Sequence, residues 1–360
     1  MALFARAVGR IHRFVRLGQA IPTGSYRGFG LLDVYVEILD GRSSMKTISL
    51  SEHEVREAVS MREAIDAVRR GFVGLAGGEF EMPTRTALRD GQFLVMSAHH
   101  RPTESAMVKT LSLNFDRVPA ITGTVVWSAL DRLDHLIADA GAVTTLRTGA
   151  AVGVATDLLA APDADRLTLI GAGGQATDQV RAVHTVRPLR HLTIVATTAE
   201  RAEALADALR AELDGTEIRT ATDPASAVSD AHVVCCATTA TTPLFPASAL
   251  PAQVHINAIG SFRPTMRELP DELLADSTVI IDELDAILEE SGEIIHALRT
   301  GAITRNDLTE LGTALTSASA SASASASASA SRGERTVFKS VGVAMQDWAI
   351  ASLLADKFLD

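Results

Sequence analysis

The sequence predicts an α/β chain built around a doubly wound parallel sheet, and three observations predict it. From Arg166 onward, short apolar runs alternate with stretches of helical periodicity. The first of these runs, Leu167 to Ile170, leads directly into Gly171-Ala172-Gly173-Gly174-Gln175-Ala176, and a helical stretch over 178–186 follows. Before Arg166 the pattern differs: 92–97, 106–113 and 122–130 read as strands with no helix between them, so the first part is α+β with an antiparallel sheet.

Each element has a local reason. Residues 1–44 carry Arg6, Arg10, Arg13, Arg16 and Arg27 and no acid before Asp33. That suits an arginine-rich leader or translated upstream sequence. The second reading is preferred, with Met45 as the natural start, because Met45 to Leu50 begins a strand. Ser60-Met61-Arg62-Glu63 is a capping box, and Met61, Ala64, Ile65, Val68, Phe72 and Leu75 then recur at helical spacing up to Gly77-Gly78. Leu146-Arg147-Thr148-Gly149-Ala150-Ala151 opens an alanine-rich helix that ends near Pro162. Further strands fall at 191–195, 231–236, 254–259 and 278–281, with a helix over 199–213.

Gly171, Gly173 and Ala176 have the G-x-G-x-x-A spacing of a Rossmann-type dinucleotide site. The first glycine permits a tight turn and the second the approach of a pyrophosphate. The small third residue lets the helix pack close to the strand. Residues 317–331 alternate Ser and Ala and hold nothing large to bury, so 316–332 is expected to be a flexible loop. The tail from 337 to 358 has helical character and is expected to return to the first part. The expected domains are therefore 45–160 with 333–360, and 161–312.

Composition excludes several classes. A net charge of −11 disfavours a nucleic-acid partner. No apolar run reaches the roughly 18 residues of a membrane span. Cys235 and Cys236 are neighbours on one strand and point to opposite faces, so they form neither a disulfide nor a metal site; a reducing cytoplasm is expected. His99-His100 lacks a third ligand, so no metal is expected. The acidic pairs Asp282-Glu283 and Glu289-Glu290 read as a strand end and a solvated helix face, and Asp347 is passed over. Lysine occurs only at 46, 109, 339 and 357 in an arginine-rich chain, which draws attention to Lys109 and Lys339. Arg85, Lys109 and Arg147 have the chemistry to hold a carboxylate, but spacing alone does not assemble them.

The chain resembles the ornithine cyclodeaminase/μ-crystallin family of nicotinamide-dependent proteins from about Met45 to its end. The resemblance rests on Pro83-Thr84-Arg85, Lys109-Thr110, Leu146 to Ala151, Gly171 to Ala176, Ile256-Asn257-Ala258-Ile259-Gly260, Arg267-Glu268-Leu269 and Phe338-Lys339-Ser340-Val341-Gly342. It implies a homodimer whose first domain supplies both the substrate site and the subunit contact. It implies that Arg85, Lys109 and Arg147 hold a substrate carboxylate. It also implies that Thr124, Arg147, Thr148, the loop Gly171, Gly173, Gly174, Gln175 and Ala176, then Thr238, Asn257, Ala258 and Ser340, border the nucleotide.

Two departures bear on the reaction. The cyclodeaminases of this family carry an Asp where this chain has Phe262, within Gly260-Ser261-Phe262-Arg263-Pro264, and a Glu where it has Met96. A phenyl ring moves no proton. An apolar wall formed by Met96 and Phe262 beside a carboxylate grip suits a cyclic imine or α-ketimine. The expected activity is therefore NAD(P)H-dependent reduction of a small cyclic imino acid, with Arg147 and Lys109 as the catalytic residues. Ornithine cyclodeamination, amino-acid dehydrogenation and non-catalytic ligand storage are the alternatives. At the end of the strand over 191–195 the sequence reads Ala196-Thr197-Thr198-Ala199-Glu200-Arg201, with no acid at the strand end. Thr197 stands where related NADP-dependent proteins often carry Arg, and Arg201 lies one turn later within reach of a 2′-phosphate, so NADP(H) is favoured, with NAD(H) as the alternative and Thr197, Thr198 and Arg201 bordering the nucleotide.

Overall fold

The computed structural model describes residues 46–114, 116–117, 119–132, 134–324 and 335–359. The expectation for 1–44 lies outside these residues. Among the described residues the chain forms two sheets. The first contains β1 (Thr47–Leu50), β2 (Phe80–Glu81), β3 (Thr86–Leu88), β4 (Phe93–His100), β5 (Ser105–Leu113), β6 (Ile121–Ala129) and β7 (His135–Asp139), in the order β1-β7-β6-β5-β4-β2, with β3 pairing β4. The antiparallel sheet expected from the sequence is present as β4-β5-β6-β7, and β1 joins its edge in parallel.

The burial pattern of β5 alternates strictly, with Met107, Lys109 and Leu111 on the inner face. Three helices, Met61–Ala76, Ala140–Leu159 and Ala344–Phe358, cover that face or pack beside it. The capping box at Ser60 forms as read, with Ser60 Oγ and Glu63 satisfying each other's backbone N–H groups.

The second sheet is parallel throughout. It holds β8 (Arg166–Ile170), β9 (His191–Val195), β10 (Glu217–Ala221), β11 (Val233–Cys236), β12 (His255–Ala258), β13 (Ser277–Ile281), β14 (Leu308–Glu310) and β15 (Arg335–Lys339), in the order β10-β9-β8-β11-β12-β15-β13-β14. The strand order reverses at β8, between β9 and β11. That reversal opens the crevice at which doubly wound sheets bind nucleotides.

Three expectations are corrected. Residues 335–339 do not belong to the first domain: β15 inserts between β12 and β13, and only the helix Ala344–Phe358 crosses back. The Ser/Ala tract is not loop along its whole length, because the helix Leu311–Ala324 runs into it. Alanine is the best helix former and serine a tolerable one, so composition outweighs the alternation. The helix bearing Arg147 begins at Ala140 rather than Leu146, with Asp139 as its N-cap accepting from Ala142 N at 2.8 Å.

Candidate active site

The glycine loop fits a dinucleotide. Gly171 sits at φ +111°, and a Cβ there would collide with the carbonyl of Ala237. Gly173 and Gly174 are exposed, and nothing lies within 4 Å of where their Cβ atoms would be. This bare backbone leads into the N-terminus of the helix Ala176–Val186. Its N-cap Gln175 makes no side-chain capping bond, and Gln175 Oε1 is buried without a hydrogen-bond partner among the described residues. An open glycine cradle at a positive helix end, with an unanswered amide beside it, suits a pyrophosphate.

Helix packing brings the first part to this cradle. A Cβ on Gly149 would lie 2.5 Å from Asp178 O, so only glycine lets the helices Ala140–Leu159 and Ala176–Val186 cross this closely. Arg147 and Thr148, immediately before that crossing, are thereby set beside the cradle. Thr148 Oγ1 bonds back to Thr144 O at 2.6 Å. At the end of β9, Thr197, Thr198 and Arg201 are exposed, and Thr198 caps the helix Ala199–Arg210.

The three cations come together around the crossover from β15 to the last helix. Gly342 has φ +82°, and a Cβ there would collide with the Arg147 guanidinium. Arg85 Nη2 donates to the carbonyls of Val341 and Gly342, both at 2.8 Å, so the two arginines meet at one glycine. From the other side, Asp282 Oδ2 accepts from Ser340 Oγ, Val341 N and Gly342 N at 2.8–2.9 Å. The last helix supplies the counter-charge. Asp347 Oδ1 lies 2.7 Å from Lys109 Nζ and 3.3 Å from Arg147 Nε, while Gln346 Oε1 accepts from Arg147 Nη1 at 2.6 Å. Both Lys109 and Asp347 are fully buried.

Burial pushes the Lys109 ammonium down to about 7, with Asp347 opposing the shift and Arg147 adding to it. Arg85 is in turn paired with Glu290 Oε2 at 2.5 Å. Burial pushes the Glu290 carboxyl up to about 7, partly offset by Arg85. Asp347 Oδ2 and Gln346 Nε2 are buried without hydrogen-bond partners among the described residues, polar capacity that a bound ligand can use.

Met96 lies opposite Lys109 on β4 and is buried. Phe262 is half-buried against the core, with the Arg263 guanidinium over its ring at 5.5 Å. Arg263 Nη2 also reaches Gly91 O of the β3–β4 turn at 3.1 Å. The loop bearing Phe262 is fastened from below. Glu268 accepts from Thr238 N and Oγ1 at 2.7 and 2.8 Å and from Gly260 N and Ser261 N at 2.8 and 3.2 Å. Lys339, the other lysine singled out by composition, is buried on Ser261 O (2.6 Å) and Glu293 Oε1 (3.0 Å). It braces this loop and is not part of the cation cluster.

Several expected nucleotide contacts are placed elsewhere. Thr124 pairs Thr110 on the outer face of the sheet, whereas Lys109 and its partner Val125 face inward; strand alternation separates them. The Asn257 side chain is buried beneath β12 on Thr156 Oγ1 (3.1 Å) and His255 (3.1 Å). Only its backbone and that of the buried Ala258 run toward the crevice. The Ser340 hydroxyl is taken by Asp282, so its role here is to shape the crossover loop. Thr238 stands on the loop after β11 with its hydroxyl on Glu268. The residues that sequence reasoning passed over are Asp347, Gln346, Glu290 and Asp282. An open cavity lined by Phe245, Arg267, Asp271 and His296 includes none of the three cations. Its Asp271 is already held by Arg267 (2.8 Å) and His296 (2.9 Å).

The model of the ornithine cyclodeaminase/mu-crystallin family matches residues 45–360. A Δ1-pyrroline-2-carboxylate reductase of Bacillus cereus is 31% identical over 327 residues, covering 86% of this chain and 96% of that protein. The L-lysine cyclodeaminase of Streptomyces rapamycinicus is 34% identical over 264 residues, covering 66% of this chain and 75% of that protein. The Thermococcus litoralis Δ1-pyrroline-2-carboxylate reductase, solved with NADH and L-proline, superposes with a TM-score of 0.79 at 28% identity, covering 86% of this chain and 97% of that one. With a family model spanning nearly the whole described chain, this protein belongs to the ornithine cyclodeaminase/mu-crystallin family.

Proposed function

We propose that this protein is an NAD(P)H-dependent reductase of small cyclic imino acids of the Δ1-pyrroline-2-carboxylate or ketimine type. The observation that carries the reading is that Arg85 and Arg147 meet at Gly342 and Asp347 joins Lys109 to Arg147, in a chain where Phe262, which moves no proton, holds the cyclodeaminases' Asp position. The similarity to the Bacillus cereus and Thermococcus litoralis reductases supports it.

The two guanidiniums and the ammonium receive the substrate carboxylate. Asp347 holds Lys109 and Arg147 in place, so that their side chains need little reorganisation on binding. Met96 and Phe262 bound the ring with apolar surface and keep water from the C=N carbon. A dinucleotide held by its pyrophosphate on the Gly171–Ala176 loop would supply the hydride from its reduced nicotinamide. The nucleotide inferred is NADPH, with Thr197, Thr198 and Arg201 toward the 2′-phosphate; Glu200 on the same turn favours NADH as the second reading. KM values for NADPH and NADH separate the two.

The related lysine cyclodeaminase supplies a rival reading, amine loss with the nicotinamide recycled. That chemistry needs an acid–base group where Phe262 stands. Oxidation of NADPH or NADH by Δ1-pyrroline-2-carboxylate, with no ammonia released from ornithine or lysine, is the expected result. Ammonia release without added reductant would reverse the assignment.

We infer a homodimer formed through the outer face of the first sheet. Val108 and Val126 pair across that face, Val108 is 44% exposed, and the helices cover only the other side. Light scattering at twice the monomer mass is expected. A cytoplasmic setting is inferred from the two free, buried cysteines. No helix among the described residues is long and apolar enough to cross a membrane.

A further inference from the structure

The reductase reading needs a proton for the imine nitrogen, and Phe262 stands where the cyclodeaminases of the family carry an acid. The charges of the site point to one. Arg85, Lys109 and Arg147 are already matched by Asp347 and Glu290, with Asp282 on the crossover loop between them. A substrate carboxylate added to this set is one negative charge too many in a largely buried place. A proton taken up by one of the chain's own carboxylates, or by Lys109, whose ammonium burial pushes down to about 7, restores the balance.

Asp347 is held by two cations and is fully buried. Asp282 Oδ2 accepts two backbone N–H bonds and a hydroxyl, so it is already committed to holding the crossover loop. Among the described residues Glu290 is paired with Arg85 Nη2 alone, which is shared with two carbonyls. It ends the helix Leu284–Glu290, where the C-terminal dipole also disfavours a negative charge.

We propose that Glu290 is the proton donor for the imine nitrogen, and that the substrate's own carboxylate loads it by sharing Arg85. In an α-imino acid the nitrogen and the carboxylate sit on the same carbon. A group sharing Arg85 with that carboxylate is therefore brought alongside the nitrogen. The proton balance closes: the Glu290 carboxylic acid protonates the C=N nitrogen, hydride from the reduced nicotinamide adds to the C=N carbon, and the product is the cyclic amino acid with oxidised nicotinamide. The Glu290 carboxylate then regains its proton from solvent.

The groups facing Glu290 are Arg85 from the first sheet's β2–β3 segment, Asp282 from the end of β13, and Glu289 on its own helix; Arg147, Lys109 and Asp347 lie beyond Arg85. Burial already holds the free carboxyl near the pH of use, pushed up to about 7. A second carboxylate on Arg85 raises it further, and linkage makes ligand binding take up a proton.

The experiment is calorimetric titration of the nicotinamide-loaded full chain with pyrrole-2-carboxylate, a flat non-reducible carboxylate, at pH 8 in buffers of different ionisation enthalpy. The wild type is expected to take up about one proton per site and Glu290→Gln close to none. With Δ1-pyrroline-2-carboxylate, Glu290→Gln is expected to lose roughly 10²-fold in kcat, and Glu290→Asp to recover part of it. Unchanged uptake in Glu290→Gln would give the proton to Lys109 and overturn the proposal. Infrared difference spectra supply a readout on the wild type alone: a protonated-carboxyl band is expected on binding, and its absence overturns the proposal. These failures leave the reductase reading standing if the wild type still reduces the imine. No reduction of any imine would remove both.

Discussion

At the scale of single residues, the site is a set of charges that depend on one another. Asp347 is the clearest case: it touches Lys109 and Arg147 and is fully buried. Replacing it with Asn leaves two buried cations without their counter-charge, a change that typically costs about 3–5 kcal/mol. Asp347→Asn is therefore expected to lower the melting temperature and to push Lys109 below its present value of about 7, so that the amine is mostly neutral at pH 7. Titration of the Lys109 amine by NMR in the two proteins checks this; an unmoved pKa and melting point would contradict it. Arg85, Lys109, Arg147, Met96 and Phe262 were legible as residue types in recognisable motifs. Asp347 and Glu290 were not, because their meaning lies in pairing. Asp347 meets Lys109 across 238 positions of sequence, and Glu290 reads locally as the solvated end of an acidic helix.

At the scale of elements, the crossover from β15 into the last helix carries the architecture. Its backbone is held by Asp282 on one side and Arg85 on the other, and Gly342 is where the arginines meet. Gly342→Ala combines a positive φ with a Cβ directed into the Arg147 guanidinium. This variant is expected to raise the substrate KM at least tenfold, the scale of effect that small misplacement has in such sites. A KM within twofold of wild type would show that the loop does not set Arg147. The alternation of strands and helices after Arg166 was readable because buried parallel strands are short apolar runs between amphipathic stretches. The sheet to which β15 belongs was not readable, since a buried strand of either domain has the same apolar pattern. The start at Ala140 was hidden as well, because Gly141, Val143, Thr144 and Thr145 are weak helix formers and the Asp139 cap is the only local signal.

At the scale of the whole molecule, the half-buried Glu290 and the buried Lys109 give the stability opposite dependences on pH. Glu290 is raised from 4.5 to about 7, so the folded chain holds a proton there that the unfolded chain has released, and stability from this group falls as pH rises between those values. Lys109 is lowered from 10.5 to about 7, so the unfolded chain holds the extra proton, and stability from this group rises with pH between about 7 and 10.5. Relative to wild type, Glu290→Gln is expected to show a shallower loss of stability between pH 4.5 and 7, measured by denaturant midpoints across that range. Parallel curves would place the Glu290 titration outside the folding equilibrium.

The central claim is that Arg147, with Arg85 and Lys109, grips the carboxylate of a cyclic imine beside a dinucleotide. The most direct measurement is kcat/KM for Δ1-pyrroline-2-carboxylate with saturating NADPH or NADH, in wild type and Arg147→Ala. Reduction by the wild type is expected, with a loss of roughly 10²-fold or more in the variant, the cost of releasing a substrate from its reactive alignment. Turnover by Arg147→Ala within a few-fold of wild type would contradict it.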